Sequence, residues 1–162
     1  DYVANTFAVC AEMCIALGMS LDEIAANATR ITQCPHRMQV LRRGELCIVD
    51  DSYNASIDGV AAACNTITKL NGTKIAIAQG IVECGNECKQ QNVQCGRMLG
   101  ETFDVVIVVG KNSALLQQGC ALTSTPTLRA KDVQQGTYVA VERMLGRGIL
   151  YYQNDLPDAP TM

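Results

Sequence analysis

The sequence predicts an α/β domain with a mostly parallel sheet flanked by helices, preceded by a short helical segment. From residue 38 onward, apolar runs of strand length alternate with helical patterns. Some of these runs, such as residues 104–109, are almost continuously apolar, as expected for strands buried on both faces. The length of 162 residues suits one such domain with a small addition.

The first 31 residues predict two helices. Apolar residues recur at three- and four-residue steps over residues 3–17, and Gly18 then ends the helix. Ser20 and Glu23 stand three residues apart and form the pattern of a capping box, which begins a second, shorter helix. Two short helices cannot enclose much core, so they suit the end of a preceding domain.

A hinge linker is expected at residues 32–37, because Pro35 restrains its neighbour to extended geometry and the helical pattern stops. We therefore expect residues 1–31 to be the helical end of another domain and residues 38–162 to be the α/β domain. The chain begins at Asp1 without a charged and then apolar leader, which indicates a piece of something longer, or a processed chain.

The α/β part begins with a predicted hairpin, because residues 38–41 and 46–51 flank a turn that contains glycine. Elements of alternating type follow: a helix over 58–70, a strand over 73–78, a helix over 86–99, a strand over 104–109, a helix over 112–118, a weak strand or loop in 121–128, a helix over 131–145 and a strand over 149–152. This alternation predicts parallel strands joined by right-handed crossovers, a Rossmann-like arrangement. The tail, residues 153–162, is expected to be poorly ordered or packed outside, and has no assigned role.

Composition excludes several functional classes. The formal net charge is −3, aromatic residues make up 4% and Trp is absent, so neither a phosphate-binding field nor a base-stacking platform for nucleic acid is expected. No apolar run approaches the ~18 residues of a membrane span.

Cysteine usage favours a reducing compartment. The nine cysteines form no C-x-x-C pair and His36 is the only histidine, so no metal site is expected. Cys10, Cys47 and Cys64 lie among aliphatic residues, which predicts reduced thiols that fill small core sites. We infer a cytoplasmic protein; a disulfide scaffold is the less favoured alternative.

Polar residues follow the predicted strands at residues 50–54, 79–83 and 110–113. Ligands of open α/β sheets gather at the carboxyl ends of strands, and the first of these segments, D-D-S-Y-N, is the most polar. The alternative is a helix N-terminus decorated with capping residues. No G-x-x-x-x-G-K-[ST] phosphate loop, G-x-G-x-x-G fingerprint or G-x-S-x-G elbow occurs in the chain.

Several segments, in order, resemble the Mur ligases of peptidoglycan synthesis, over nearly the whole chain to about residue 152. They are Asn5 with the later run L-G-M-S-L-D-E-I at 17–24, His36-Arg37-Met38 at the hinge, and D-S-Y-N-A at 51–55. The last is similar to D-S-Y-N-A-N-P of the branch that adds D-alanyl-D-alanine, although Ser56 and Ile57 replace its final Asn and Pro. Glu83 and Gly85 match part of that branch's G-D-M-x-E-L-G loop.

The resemblance implies the C-terminal domain of a three-domain, ATP-dependent amide ligase. In that family ATP phosphorylates a peptide carboxylate, and an amino group then attacks the acyl phosphate. The implied substrates are a UDP-muramoyl peptide and an amino acid or dipeptide. ATP and Mg²⁺ would be bound mainly by a central domain, so this chain, expected to be a monomer, should hold no catalytic residue or metal ligand and be inactive alone.

The resemblance also implies roles for seven residues. Asn5 would contact adenine, Arg37 would reach the nucleotide, and Asp51 would accept hydrogen bonds from ribose. Four residues would line the substrate cleft: Ser52, Tyr53, Asn54 and Glu83.

Each of these roles has a plain alternative. Arg37 is alternatively a solvated linker charge, Asn5 a helix N-cap, and Asp51 a cap for the helix over 58–70. His36 is expected to be a hinge spacer rather than a catalytic base. A different functional class, a non-catalytic module that binds a nucleotide or a partner, is favoured by the altered residues 56–57 and by the missing phosphate loop; the coding sequence upstream of Asp1 would separate the two.

Overall fold

The computed structural model describes residues 2–153 and separates two units, divided between Gln33 and Cys34. The first unit contains α1 (Tyr2–Ala16) and α2 (Leu21–Ala28). The predicted capping box is present: Ser20 Oγ accepts the Glu23 N–H at 3.3 Å, and Glu23 Oε2 accepts the Ser20 N–H at 2.8 Å. Gly18, with φ of +93°, follows α1 in the left-handed conformation expected of a helix-ending glycine.

The second unit is a six-stranded sheet with helices on both faces. Its elements are β1 (Gln39–Arg43), β2 (Leu46–Asp51), α3 (Ile57–Ile67), β3 (Lys74–Ala78), a short 3₁₀ turn (Gly85–Glu87), α4 (Cys88–Thr102), β4 (Val105–Val108), α5 (Ser113–Ala121), β5 (Thr127–Arg129), α6 (Val133–Met144) and β6 (Gly148–Gln153). The strand order is β1-β2-β6-β3-β4-β5; β1 is antiparallel to β2, and all other pairs are parallel. The predicted α/β class, the hairpin and the mostly parallel sheet are confirmed.

Two hydrophobic clusters lie on opposite faces of this sheet. One contains residues of α3, α4 and α5, and the other contains residues of α6. Ala76 and Ala78 of β3 face the first cluster, whereas Ile75 and Ile77 face the second, as the period of two along a strand requires. Strands β3 and β6 form the centre, so the loop that leaves the carboxyl end of β3 has buried surroundings.

The cysteine predictions are partly wrong. Cys64 is buried as expected, but Cys47 is only half-buried and Cys10 is exposed. Cys10 lies on α1, whose apolar residues are largely uncovered by the small first unit; Val9, for example, is 57% exposed. Cys84 and Cys88 are joined by a disulfide, which contradicts the expectation that they fill the core as reduced thiols. Their spacing of four residues is not by itself a signal, because Cys10 and Cys14 have the same spacing and are free.

Within residues 2–153, no helix combines the length and the apolar character needed to cross a membrane. The predicted tail lies outside the described residues except for Gln153. That residue was assigned no role, yet it ends β6 and is 1% exposed.

Candidate functional site

The most polar predicted segment leaves the carboxyl edge of the sheet at the end of β2. Strand β2 ends at Asp51, and the chain reaches the N-cap of α3 at Ser56, whose Oγ accepts the Gly59 N–H at 3.1 Å. Because Ser56 fills the N-cap position, the alternative role of Asp51 as the cap of this helix is wrong. Asp51 is therefore available to another interaction.

The hinge residues are bonded to this loop. His36 and Met38 have φ of 61° and 49°, a left-handed conformation that is uncommon outside glycine, and they turn the backbone on both sides of Arg37. The carbonyl oxygen of His36 accepts the Tyr53 N–H at 3.1 Å, and His36 Nδ1 lies 2.8 Å from Asp50 Oδ2. These contacts place the hinge directly on the loop after β2.

Asp51 bonds to the hinge and to the neighbouring strand. Its Oδ1 accepts the Met38 N–H at 3.0 Å and its Oδ2 accepts the hydroxyl of Tyr151 at 3.2 Å. Burial raises the pKa of Asp51, while these two hydrogen bonds act in the opposite direction. Both carboxylate oxygens thus have partners inside the protein, and contact with a ribose, which stays a prediction, would add to them.

Asp50 organises the loop, although sequence reasoning gave it no role of its own. Its Oδ1 accepts both the N–H and the hydroxyl of Ser52, at 3.2 and 2.6 Å, and its Oδ2 pairs with His36. This is the short-range turn that aspartate commonly makes with its own backbone two residues on. The hydroxyl of Ser52 is consequently oriented by Asp50 rather than directed at solvent.

Arg37 and Tyr53 form an exposed stacked pair. The guanidinium carbon of Arg37 lies 4.4 Å from the centroid of the Tyr53 ring, within the range of a cation–π interaction. Tyr53 is 50% exposed, and Asn54 beside it is exposed as well. Arg37 is therefore held against an aromatic ring, which differs from the alternative of a purely solvated linker charge.

A small cavity of about 230 Å³ lies next to this loop, at the carboxyl edge of the sheet. Its lining residues are Asp50, Ser52, Ile77, Val133, Tyr152 and Gln153. One wall is fixed by the hydroxyl of Tyr152, which lies 2.9 Å from Thr137 Oγ1 of α6. The polar loop therefore borders a cavity.

The loop after β3 leaves the same edge and is fixed by buried amides. The N–H and carbonyl of Gly80 both bond to the amide of Gln153, each at 3.0 Å. Asn92 of α4 bonds in the same two-fold way to Ile81, at 2.9 Å each, and Asn112 donates to the Ile81 carbonyl at 3.0 Å. We call Asn92, Asn112 and Gln153 the amide clamp.

Sequence reasoning missed the amide clamp. The available signal was weak: each is an Asn or Gln near the end or start of an element, a residue type that is mostly exposed. Only the tertiary structure shows that these amides replace a strand partner for the main chain of residues 80–81, whose polar groups would otherwise be buried unsatisfied.

The structure brings together only part of the predicted site. Arg37, Asp51, Ser52 and Tyr53 are linked through the hinge, whereas Glu83 is exposed on the separate loop after β3. Strand β6 lies between β2 and β3, so the two loops leave the edge about 10 Å apart.

Asn5 belongs to the other unit. Helix α1 begins at Tyr2, so Asn5 lies inside this helix and the alternative of an N-cap is wrong. Its predicted contact with adenine stays a prediction.

The described residues contain no ready-made metal cage. Among residues 2–153, no three His, Cys, Asp or Glu side chains are grouped closely enough to hold a metal. A Mg²⁺ ion that accompanies a nucleotide is commonly held by one or two carboxylates together with phosphates and water, so the place of its ligands stays a prediction.

Comparisons with known proteins agree with the fold. A UDP-N-acetylmuramoyl-tripeptide--D-alanyl-D-alanine ligase of Escherichia coli K12 is 29% identical over 113 residues, which cover 68% of this chain and 25% of that protein. The chain spans about a quarter of the length of the curated relatives it matches.

Solved structures with the same fold include a MurF ligase from Thermotoga maritima in complex with ADP, with a TM-score of 0.72 and 18% identity over 91% of this chain and 33% of that one. A MurF from Acinetobacter baumannii has a TM-score of 0.74 and 22% identity, over 87% of this chain and 32% of that one. The model of the family described as "Mur ligase, glutamate ligase domain" matches residues 36–151, from the hinge to the central strand β6. The protein therefore belongs to the Mur ligase family.

Proposed function

We propose that this chain is the C-terminal domain of an ATP-dependent amide ligase of peptidoglycan precursor synthesis, with residues 1–31 as the end of its ATP-binding central domain. The reaction would join D-alanyl-D-alanine, or an amino acid, to a UDP-muramoyl peptide through an acyl phosphate. The support is family membership together with relatives that carry this ligase name. A cytoplasmic location follows from the proposed nucleotide-linked substrates.

The observation that carries the proposal is the fixed position of Arg37. Its flanking residues adopt left-handed backbone conformations and are bonded to the loop after β2, while its guanidinium stacks on Tyr53 at the exposed surface. A planar guanidinium suits phosphate and ribose oxygens of a nucleotide. Since the hinge would join the two domains, Arg37 would reach ATP when the domains close and would help exclude water there.

The test is steady-state kinetics of the complete gene product with UDP-N-acetylmuramoyl-tripeptide, D-alanyl-D-alanine, ATP and Mg²⁺, followed by phosphate release and product mass. Loss of one charge-assisted contact costs roughly 1.5–3 kcal/mol, so Arg37→Ala should lower kcat/KM for ATP by at least about tenfold. Arg37→Lys should restore only part of this loss, because an ammonium lacks the planar fork.

Gln94→Ala, on the exposed surface of α4, is the matched control and should leave the kinetics unchanged. Replacing D-alanyl-D-alanine by single amino acids identifies the amino donor. Nucleotide binding without any product would contradict the ligase proposal and support the non-catalytic module. An active enzyme in which Arg37→Ala behaves like the control would contradict the role of Arg37.

A further inference from the structure

The loop between β3 and α4 carries a disulfide for which the proposed ligase function has no use. Cys84 and Cys88 are bridged, and their Cα atoms are 4.7 Å apart. Cys84 lies directly after Glu83, and Cys88 is the first residue of α4. The bridge therefore encloses the 3₁₀ turn (Gly85–Glu87) and connects it to the start of a long helix.

The bridge encloses a turn that the amide clamp holds at both ends, since Asn92 also donates to the Cys88 carbonyl at 2.9 Å. Asn92, Asn112 and Gln153 bond to the main chain at Gly80 and Ile81. Within the turn, the Glu87 N–H donates a main-chain hydrogen bond to the Cys84 carbonyl at 3.1 Å. The bridge thus adds a covalent cross-link to the turn between these two held ends.

Main-chain carbonyl oxygens lie beside both sulfur atoms. Cys84 Sγ lies 3.4 Å from the Ile81 carbonyl oxygen, and Cys88 Sγ lies 3.6 Å from that of Val82. The Ile81 carbonyl already accepts from Asn92 and Asn112, and two unbonded sulfur atoms cannot lie at the distance of a disulfide. Reduction therefore changes the local geometry of the turn that the bridge encloses.

Accessibility distinguishes this pair from the three buried cysteines. Cys84 and Cys88 are half-buried. Cys64, Cys95 and Cys120 are buried. Burial raises the pKa of the Cys64 and Cys95 thiols and that of Cys120 to about 11, so these thiols stay protonated and unreactive.

We propose that Cys84 and Cys88 form a reversible dithiol–disulfide pair that exchanges with small-molecule disulfides such as glutathione disulfide and sets the order of residues 82–87. The Cys88 thiolate attacks glutathione disulfide, whose S–S bond breaks and releases one glutathione thiolate. The Cys84 thiolate then attacks the sulfur of Cys88 in this mixed disulfide, which forms the bridge and releases the second glutathione. Two electrons pass to glutathione, and its two thiolates take up the two protons of the protein thiols. This inference does not depend on the ligase function.

Thiol trapping tests the exchange. The chain is equilibrated in buffers with increasing ratios of reduced to oxidised glutathione, quenched with acid, alkylated and mapped by mass spectrometry. We expect the Cys84–Cys88 bridge to form and open reversibly across the series, while Cys64, Cys95 and Cys120 are not oxidised. Cys34→Ser, which removes an exposed unpaired thiol, is the matched control and should preserve the transition. A pair that stays reduced in oxidised glutathione, or stays bridged in excess reduced glutathione, would overturn the proposal.

Hydrogen exchange tests the effect on the loop. Amides of residues 82–87 should exchange about tenfold faster in the reduced chain, the order expected from losing a cross-link around so short a loop. The double variant Cys84→Ser, Cys88→Ser should show the fast rate in every buffer, with the amides of β3 unchanged. Equal exchange rates in the two redox states would overturn the control of loop order.

Discussion

The loops that follow β2 and β3 leave the same edge of the sheet but use their polar groups in opposite ways. After β2, Asp50 and Asp51 bond to the hinge and leave the Arg37–Tyr53 pair at the surface. After β3, the amide clamp approaches from other elements and bonds to the main chain. The loop after β2 exposes side chains at the surface, whereas the main chain of the loop after β3 is bonded by side chains of other elements.

This difference predicts where substitutions affect folding and where they affect ligand contact. Polar groups of the clamp are buried, so a lost partner leaves a desolvated donor or acceptor, which is costly. Polar groups around Arg37 and Tyr53 are exposed, so water replaces a lost partner there. Stability should therefore depend much more on the loop after β3.

The largest effect is expected for Asn92→Leu. Asn92 is 0% exposed and bonds to the N–H and carbonyl of Ile81 and to the carbonyl of Cys88. Its loss leaves buried main-chain groups unpaired, so the free energy of unfolding should fall by about 3 kcal/mol. Urea denaturation measures the change, with exposed Gln94→Ala as the control on the same helix. A loss below about 1 kcal/mol would show that the clamp contributes little.

Gly80→Ala should have the next largest effect. Gly80 has φ of +87°, and an added Cβ would overlap Asn92 Oδ1. Gly44 is a matched control, because its φ is +61° but a Cβ would meet nothing within 4 Å. We expect Gly44→Ala to cost about 1 kcal/mol, the cost of the left-handed backbone, and Gly80→Ala to cost at least about 2 kcal/mol. Equal losses in thermal or urea unfolding would contradict the close approach of the clamp.

The same contrast explains how far sequence reasoning reached. The spacing of apolar residues and the alternation of strands with helices predict the fold and place D-D-S-Y-N at the carboxyl edge of the sheet, because these signals are local in the sequence. The hinge turn at His36 and Met38 and the amide clamp depend on main-chain conformations and on partners distant along the chain, for example between Gly80 and Gln153. The pairing of Cys84 with Cys88 was likewise missed, since chemical type alone led to their assignment as core thiols.

Asp51→Asn should have a smaller effect that depends on pH. Because burial raises the pKa of Asp51 above its ordinary 3.8, the folded chain binds this proton more readily than the unfolded chain. The stability that this proton contributes is fully present below pH 3.8 and is lost as the pH rises through the raised pKa. The wild type should therefore lose stability relative to Asp51→Asn as the pH rises from about 3.8 through the raised pKa.

Thermal melts of both proteins across this range measure the difference, which should remain below the loss in Gly80→Ala. A difference that changes in the opposite direction with pH would show that the hydrogen bonds from Met38 and Tyr151, rather than burial, dominate the ionisation of Asp51.

The smallest effect is expected for the exposed pair of Arg37 and Tyr53. Their guanidinium-to-ring distance of 4.4 Å predicts a coupling of about 0.5–1 kcal/mol for an exposed cation–π contact. A double-mutant cycle with Arg37→Ala and Tyr53→Ala, followed by urea denaturation of all four proteins, isolates this coupling from other effects of each substitution. Tyr53→Phe keeps the ring and should preserve most of the coupling. A coupling of zero would mean that stacking on Tyr53 does not help to hold the Arg37 guanidinium beside the loop after β2.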